Sequence, residues 1–109
     1  MKLIFKTVTH VAGIEYRKDN AEKAFSLMDT DDSDNVKLVR EPNNQYDHLA
    51  IKVYLEGIFI GYVPKKRMRE LRKIIQREDI LVKAKISTLY TKISKLPEFC
   101  TLYVEVWEL

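Results

Sequence analysis

Tyrosines, cations and a single loop carboxylate stand where this chain could do chemistry. Tyr16 and Arg17 fall in the run VAGIEYR, and Asn44 and Asp47 fall in the polar loop REPNNQYD at residues 40–47. Tyr62, Lys65 and Lys66 fall in IGYVPKK. These types suit recognition better than catalysis. Aromatic faces stack on bases while cations follow a phosphate backbone, and each stacked base contributes ~1–3 kcal/mol. Asp47 has no nucleophile or general-base partner in the pattern, and no set of carboxylates is spaced for metal-assisted hydrolysis. His10 and His48 have no further His or Cys partners, and Cys100 is the only cysteine, so neither a zinc site nor an internal disulfide is expected. No glycine-rich phosphate loop is present. The expectation is a non-enzymatic chain without metal or cofactor.

Each candidate also has a plainer reading. Asp47 is able to cap the turn that follows it, as Asx residues do by bonding backbone amides. Asn43 and Asn44 are expected to divide, one shaping the loop and one facing solvent or ligand. Tyr46 is read as packing that ties the loop down, and Tyr16 and Tyr62 stand open between packing and stacking. Arg40 is expected to pair with Glu41 or a loop carbonyl, and Pro42 to be structural. Cys100 reads as an ordinary buried or half-buried thiol.

The elements that must position these residues are short. Residues 3–11 are β-branched and aromatic and form a strand running into a bend at Gly13. Asp19-Asn20-Ala21-Glu22 has capping-box character, and Ala21, Ala24, Phe25 and Met28 follow at helical spacing, ending near Asp29. The run from Asp29 to Asn35 lacks the glycine and glutamate of a calcium loop and reads as an exposed acidic loop. Residues 36–40 form a strand, and residues 49–55 and 58–63 form a hairpin around Glu56-Gly57. Pro64 opens a helix whose apolar stripe is Met68, Leu71, Ile74 and Ile75. That helix carries Lys65, Lys66, Arg67, Arg69, Arg72, Lys73 and Arg77 against Glu70 and Glu78. Lys65 and Lys66 would lie at its N-terminus, where the dipole favours anions, and the later cations would be solubilising or non-specific. Residues 80–90 and 101–109 are the closing strands, the last with Tyr103, Glu105 and Trp107 on its second face.

The 109 residues make one domain, 1–109, with enough chain for a core without staples. The net charge is +3, but residues 1–60 carry 8 basic against 10 acidic side chains (−2), and residues 61–109 carry 11 against 6 (+5). A basic half suits an anionic partner. No segment approaches the ~20 apolar residues of a bilayer span. The cytoplasm is the expected location, with no membrane partner. Mainly β with two helices, the pattern predicts a small antiparallel β-barrel of OB-like or SH3-like form.

The pattern R-E-P-x-N-x-Y-D-x-x-A-I-x-V, followed by I-G-Y-V-P and preceded by Val11-Ala12-Gly13-Ile14-Glu15-Tyr16, resembles the HIRAN domain over roughly residues 8–106. That family occurs fused to SWI/SNF-type helicases and as small free-standing bacterial and phage proteins. The resemblance implies an OB-like barrel that binds DNA. The best-understood eukaryotic member captures the 3′ end of single-stranded DNA in the remodelling of stalled forks. By that resemblance Tyr16 stacks on a base, Asn44 and Asp47 contact the terminal nucleotide, and Lys65 contacts a phosphate. Tyr62 stands where that member has a histidine, Glu15 where it has an arginine, and Arg17 where it has a second aromatic. A carboxylate beside a phosphate path is repulsive, whereas a guanidinium still stacks or pairs with phosphate. The expectation is a module for single-stranded DNA, including its 3′ end, in repair or replication. The alternative is an adaptor docking onto a DNA-processing enzyme (helicase, nuclease or polymerase) through Tyr103 and Trp107.

Overall fold

The computed structural model describes residues 1–28, 35–91 and 97–109; most of the expected acidic loop lies outside them. The elements run β1 (Lys2–His10), α1 (Lys18–Ser26), β2 (Val36–Arg40), β3 (Ile51–Leu55), β4 (Ile58–Tyr62), α2 (Arg69–Ile74), β5 (Ile80–Thr91) and β6 (Pro97–Glu108). One 3-10 turn, Ile14–Tyr16, precedes α1. The strands make a single antiparallel sheet of six in the order β1-β6-β5-β2-β3-β4.

Period-two alternation places one face of each strand inside. Ile51, Val53 and Leu55 of β3 and Leu102, Val104 and Val106 of β6 are buried, while Lys52, Tyr54, Tyr103 and Trp107 point outward. At the hairpin turn, Glu56 and Gly57 both have positive φ, 52° and 79°, which a type I′ turn requires.

The sheet is curled but not closed. Its edges meet where the Ala12 N–H donates to Tyr62 O (2.8 Å) and the Tyr62 N–H donates back to Ala12 O (2.9 Å). This contact explains Gly61, because a Cβ there would stand 2.4 Å from the Ala12 carbonyl oxygen. Helix α1 packs on β4 and β6 with Ala21 and Ala24 buried. The result is roughly an OB-like arrangement with one open seam.

Two helix expectations are corrected. Helix α1 begins at Lys18 with Arg17 as its N-cap and no side-chain cap, so Asp19 to Glu22 form no capping box. Asn20 instead donates its side-chain amide to Phe59 O (3.0 Å), tying α1 to β4. Helix α2 starts at Arg69, not at Pro64. Arg67 sits at φ 69°, in the left-handed region, and that breaks any helix through the basic run. Lys65 and Lys66 therefore lie in a turn outside the first turn of α2, beyond the reach of its dipole.

Candidate nucleic-acid interface

On the outer face of β3 and β4, Lys52 pairs with Tyr62 and Tyr54 with Phe59, and a register shift between the two pairs leaves Ile60 as an extra residue. Residues three apart in a regular strand face opposite ways; the bulge brings Phe59 and Tyr62 to one side. Their rings meet edge to face at 5.3 Å, with Tyr54 5.8 Å from Phe59. Arg17 lays its guanidinium 4.6 Å from the Phe59 ring centre and 5.3 Å from that of Tyr62, and donates to Gly13 O (2.9 Å). Lys52 covers Phe59 from 4.9 Å. This is a half-buried aromatic floor under two cations.

Glu41 anchors the polar loop to that floor. Its carboxylate pairs with Lys52 (3.0 Å) and accepts from the Tyr62 hydroxyl (3.2 Å) and the Asn44 amide. The Asn44 bond foremost, then Lys52, holds the Glu41 carboxyl below its ordinary 4.5. Burial, followed by the Glu41 charge, raises the Tyr62 hydroxyl above 10.0, so it remains a donor at neutral pH. Asn44 and Asp47 tie down the loop's backbone. Asn44 Oδ1 accepts the backbone N–H of Tyr46 (2.8 Å) and of Asp47 (3.0 Å), and Asp47 Oδ1 accepts that of Leu49 (3.1 Å). Arg72 of α2 pairs through Nη2 with both oxygens of Asp47 and donates Nε–H to Leu49 O (3.3 Å). Arg72 is thus buried and structural, not a solubilising cation as the sequence suggested.

Clamped at both ends, the loop projects Tyr46, which is 91% exposed. That corrects its expected packing role: the loop is held by its polar residues, and the ring is presented to solvent. Tyr16 is 83% exposed beside the packed Arg17. Glu15 is exposed as well, and Lys65 and Lys66 are exposed in the turn after Pro64. Arg40 is exposed, and the Glu41 carboxylate faces Lys52 instead.

A family model, the HIRAN domain, matches residues 4–107. The chain belongs to the HIRAN domain family. Two solved structures share its fold. The HIRAN domain of human HLTF is 22% identical with a TM-score of 0.65, covering 98% of this chain and 78% of that one. A protein from Lactobacillus plantarum is 20% identical with a TM-score of 0.71, covering 99% and 96%. No curated protein matches the chain. HIRAN domains are nucleic-acid-binding modules, generally without catalysis.

In this HIRAN domain the structure brings Arg17 and Tyr62 into direct contact and links Asn44 to them through Glu41. Asp47 sits at the loop's far end on Arg72. Phe59, Lys52, Glu41 and Arg72 were missed by sequence reasoning. The alternation of Lys52 and Tyr54 against buried neighbours was a signal for Lys52, but the bulge that turns Phe59 toward them has no sequence mark. Cys100 is buried and its thiol is pushed up to about 12 by that burial, as an inert core residue. Among the described residues there is no group of three or more His, Cys, Asp or Glu placed to hold a metal, and no helix long and apolar enough to cross a membrane.

Proposed function

We propose that this HIRAN domain binds single-stranded DNA and prefers a free 3′ hydroxyl, serving as a recognition module in DNA repair or replication. The observation that carries the reading is the pair of exposed rings, Tyr16 and Tyr46, the latter on a loop held in shape by Glu41, Asn44 and Asp47. An exposed ring on a rigid mount offers a stacking face with little ordering left to do on binding. Lys65 and Lys66, with Arg17 at the floor, supply the cations for phosphates.

Preference for the end rests on Asp47. Its carboxylate already accepts from Leu49 and Arg72, but an ionised carboxylate has about four lone-pair sites. Its side chain is 23% exposed, which leaves access for a hydroxyl donor. A terminal phosphate there would meet Asp47. Like charges at contact are unfavourable. Asn44, by contrast, acts through the loop it shapes.

Fluorescence anisotropy with labelled single-stranded, duplex and 3′-phosphorylated oligonucleotides tests the reading. The expected order of affinity is single strand with a 3′ hydroxyl, then 3′ phosphate, then duplex. No binding at low salt overturns the function, and equal affinity for both single strands removes the end preference alone. Lys65→Ala is expected to weaken binding and to reduce the slope of log K against log salt by about 0.7, one phosphate contact on a single strand.

A further inference from the structure

The outer face of β1, β6 and β5 is a second surface, built from other strands and unused by the proposed DNA site. Register sets its rows: Leu3, Trp107 and Leu81 lie abreast, then Lys6, Glu105 and Lys83, then Val8, Tyr103 and Lys85. Lys83 lies over the Trp107 ring at 5.4 Å and Lys85 over Tyr103 at 6.0 Å. Glu105 joins the two rings, accepting from the Tyr103 hydroxyl (3.0 Å) and from Trp107 Nε1–H (3.3 Å). Beside these rings a groove of about 470 Å³ runs between β5 and β2, with Lys37 on its far wall. Leu81 is 39% and Val8 53% exposed. Four lysines thus surround one carboxylate on a face with rings at its centre and aliphatic side chains at its margins.

We propose that this face docks an acidic protein segment that also carries aliphatic side chains, such as a segment of a DNA-processing enzyme. Aromatic residues are enriched in the cores of protein interfaces, and charge complementarity selects the partner. Lys37, Lys83 and Lys85 call for carboxylates, and Leu81 and Val8 for aliphatic groups. DNA fits less well. The aliphatic margins offer nothing to phosphates, and Glu105 repels them from the centre. A second copy of the chain would bring lysines against lysines in a two-fold contact.

Trp107 is the only tryptophan, so its emission reports this face alone. The full chain would be titrated with a short synthetic peptide of glutamates and leucines, with its glutamine and lysine counterparts, and with an oligothymidylate. The proposal expects a saturable change in Trp107 emission with the glutamate peptide, weakened by salt and unchanged in Tyr16→Ala. Lys83→Glu/Lys85→Glu should raise the half-saturation concentration about tenfold, equivalent to roughly 1.4 kcal/mol. Should that variant not fold, Lys83→Gln/Lys85→Gln is expected to show a smaller rise in the same direction, and no rise overturns the proposal. It is equally overturned by no response to the glutamate peptide, or by an equal response to the glutamine or lysine peptide. A saturable oligothymidylate response at Trp107 that persists in Tyr16→Ala/Tyr46→Ala would make this a nucleic-acid face instead. A change that follows protein concentration alone would make it a self-contact. Because the readout and variants lie on other strands, these outcomes are separate from failure of the DNA reading.

Discussion

The loop at residues 40–47 and the basic turn at residues 65–67 are both polar, and they are built in opposite ways. In the loop, Glu41, Asn44 and Asp47 each bind partners inside the protein, and they hold the segment from which the Tyr46 ring projects, beside exposed Pro42, Asn43 and Gln45. In the turn, Lys65, Lys66 and Arg67 are exposed and their charge faces solvent. The first arrangement fixes geometry, and the second sets long-range attraction. Specificity should therefore follow the loop, while salt dependence should follow the turn. A count of polar residues does not separate the two; their partners do.

The fixed geometry of the loop depends most on Arg72. Arg72→Met leaves the Asp47 carboxylate with the Leu49 N–H and no counter-charge. Breaking a buried pair from one side costs about 3–5 kcal/mol, and the partial exposure of Asp47 argues for roughly 3. Urea unfolding would read the loss, and oligonucleotide affinity should fall with it as Tyr46 loses its mount. Asp47→Asn in the same chain should restore part of the stability, because the stranded charge is then gone. Next in size is Gly61→Ala, which pushes a Cβ against the Ala12 carbonyl at the seam. Losing the two bridging hydrogen bonds at ~1 kcal/mol each gives about 2 kcal/mol. Hydrogen exchange at the Ala12 and Tyr62 amides should accelerate ahead of the rest of the sheet.

These two residues also mark how far the sequence could be read. Alternation in β3 and β6 and the Glu56-Gly57 turn made the strands legible, since period two and positive φ leave local marks. Gly61 was legible as part of a motif, but its cause, an approach to Ala12 from across the seam, is a long-range contact. Arg72 was misread because an amphipathic stripe assigns charge to solvent, and only tertiary packing shows that a cation is buried against Asp47. The start of α2 was misread for a related reason. Pro64 is compatible with a first turn, but a left-handed Arg67 ended that possibility. Tyr46 and Asn44 exchanged expected duties because local Asx bonds leave the ring without anything to pack on.

Smaller effects sharpen the contrast without touching stability. Tyr46→Ala and Tyr16→Ala should each weaken single-stranded DNA binding by ~1–3 kcal/mol while leaving thermal unfolding unchanged, since both rings are exposed. Tyr46→Phe should retain most of the affinity if stacking is the contribution. If Tyr46→Ala instead lowers stability and leaves binding intact, the loop holds its tyrosine for packing and the distinction between loop and turn fails.

The smallest effect is a titration. The Glu41 carboxyl is held below its ordinary 4.5 chiefly by the Asn44 amide and by Lys52. A group with a depressed folded-state pKa contributes stability that is complete above the unfolded value and is lost as pH falls through the folded one. The tether between loop and floor should therefore hold at neutral pH and slacken only in acid, below about 4.5. Carbon-detected NMR of the Glu41 carboxyl should give a midpoint beneath that value. Lys52→Met should raise the midpoint while leaving the Asn44 contribution in place. A wild-type midpoint at or above 4.5 would mean that Glu41 does not bind its neighbours in solution, and the near end of the loop would then be as free as the basic turn.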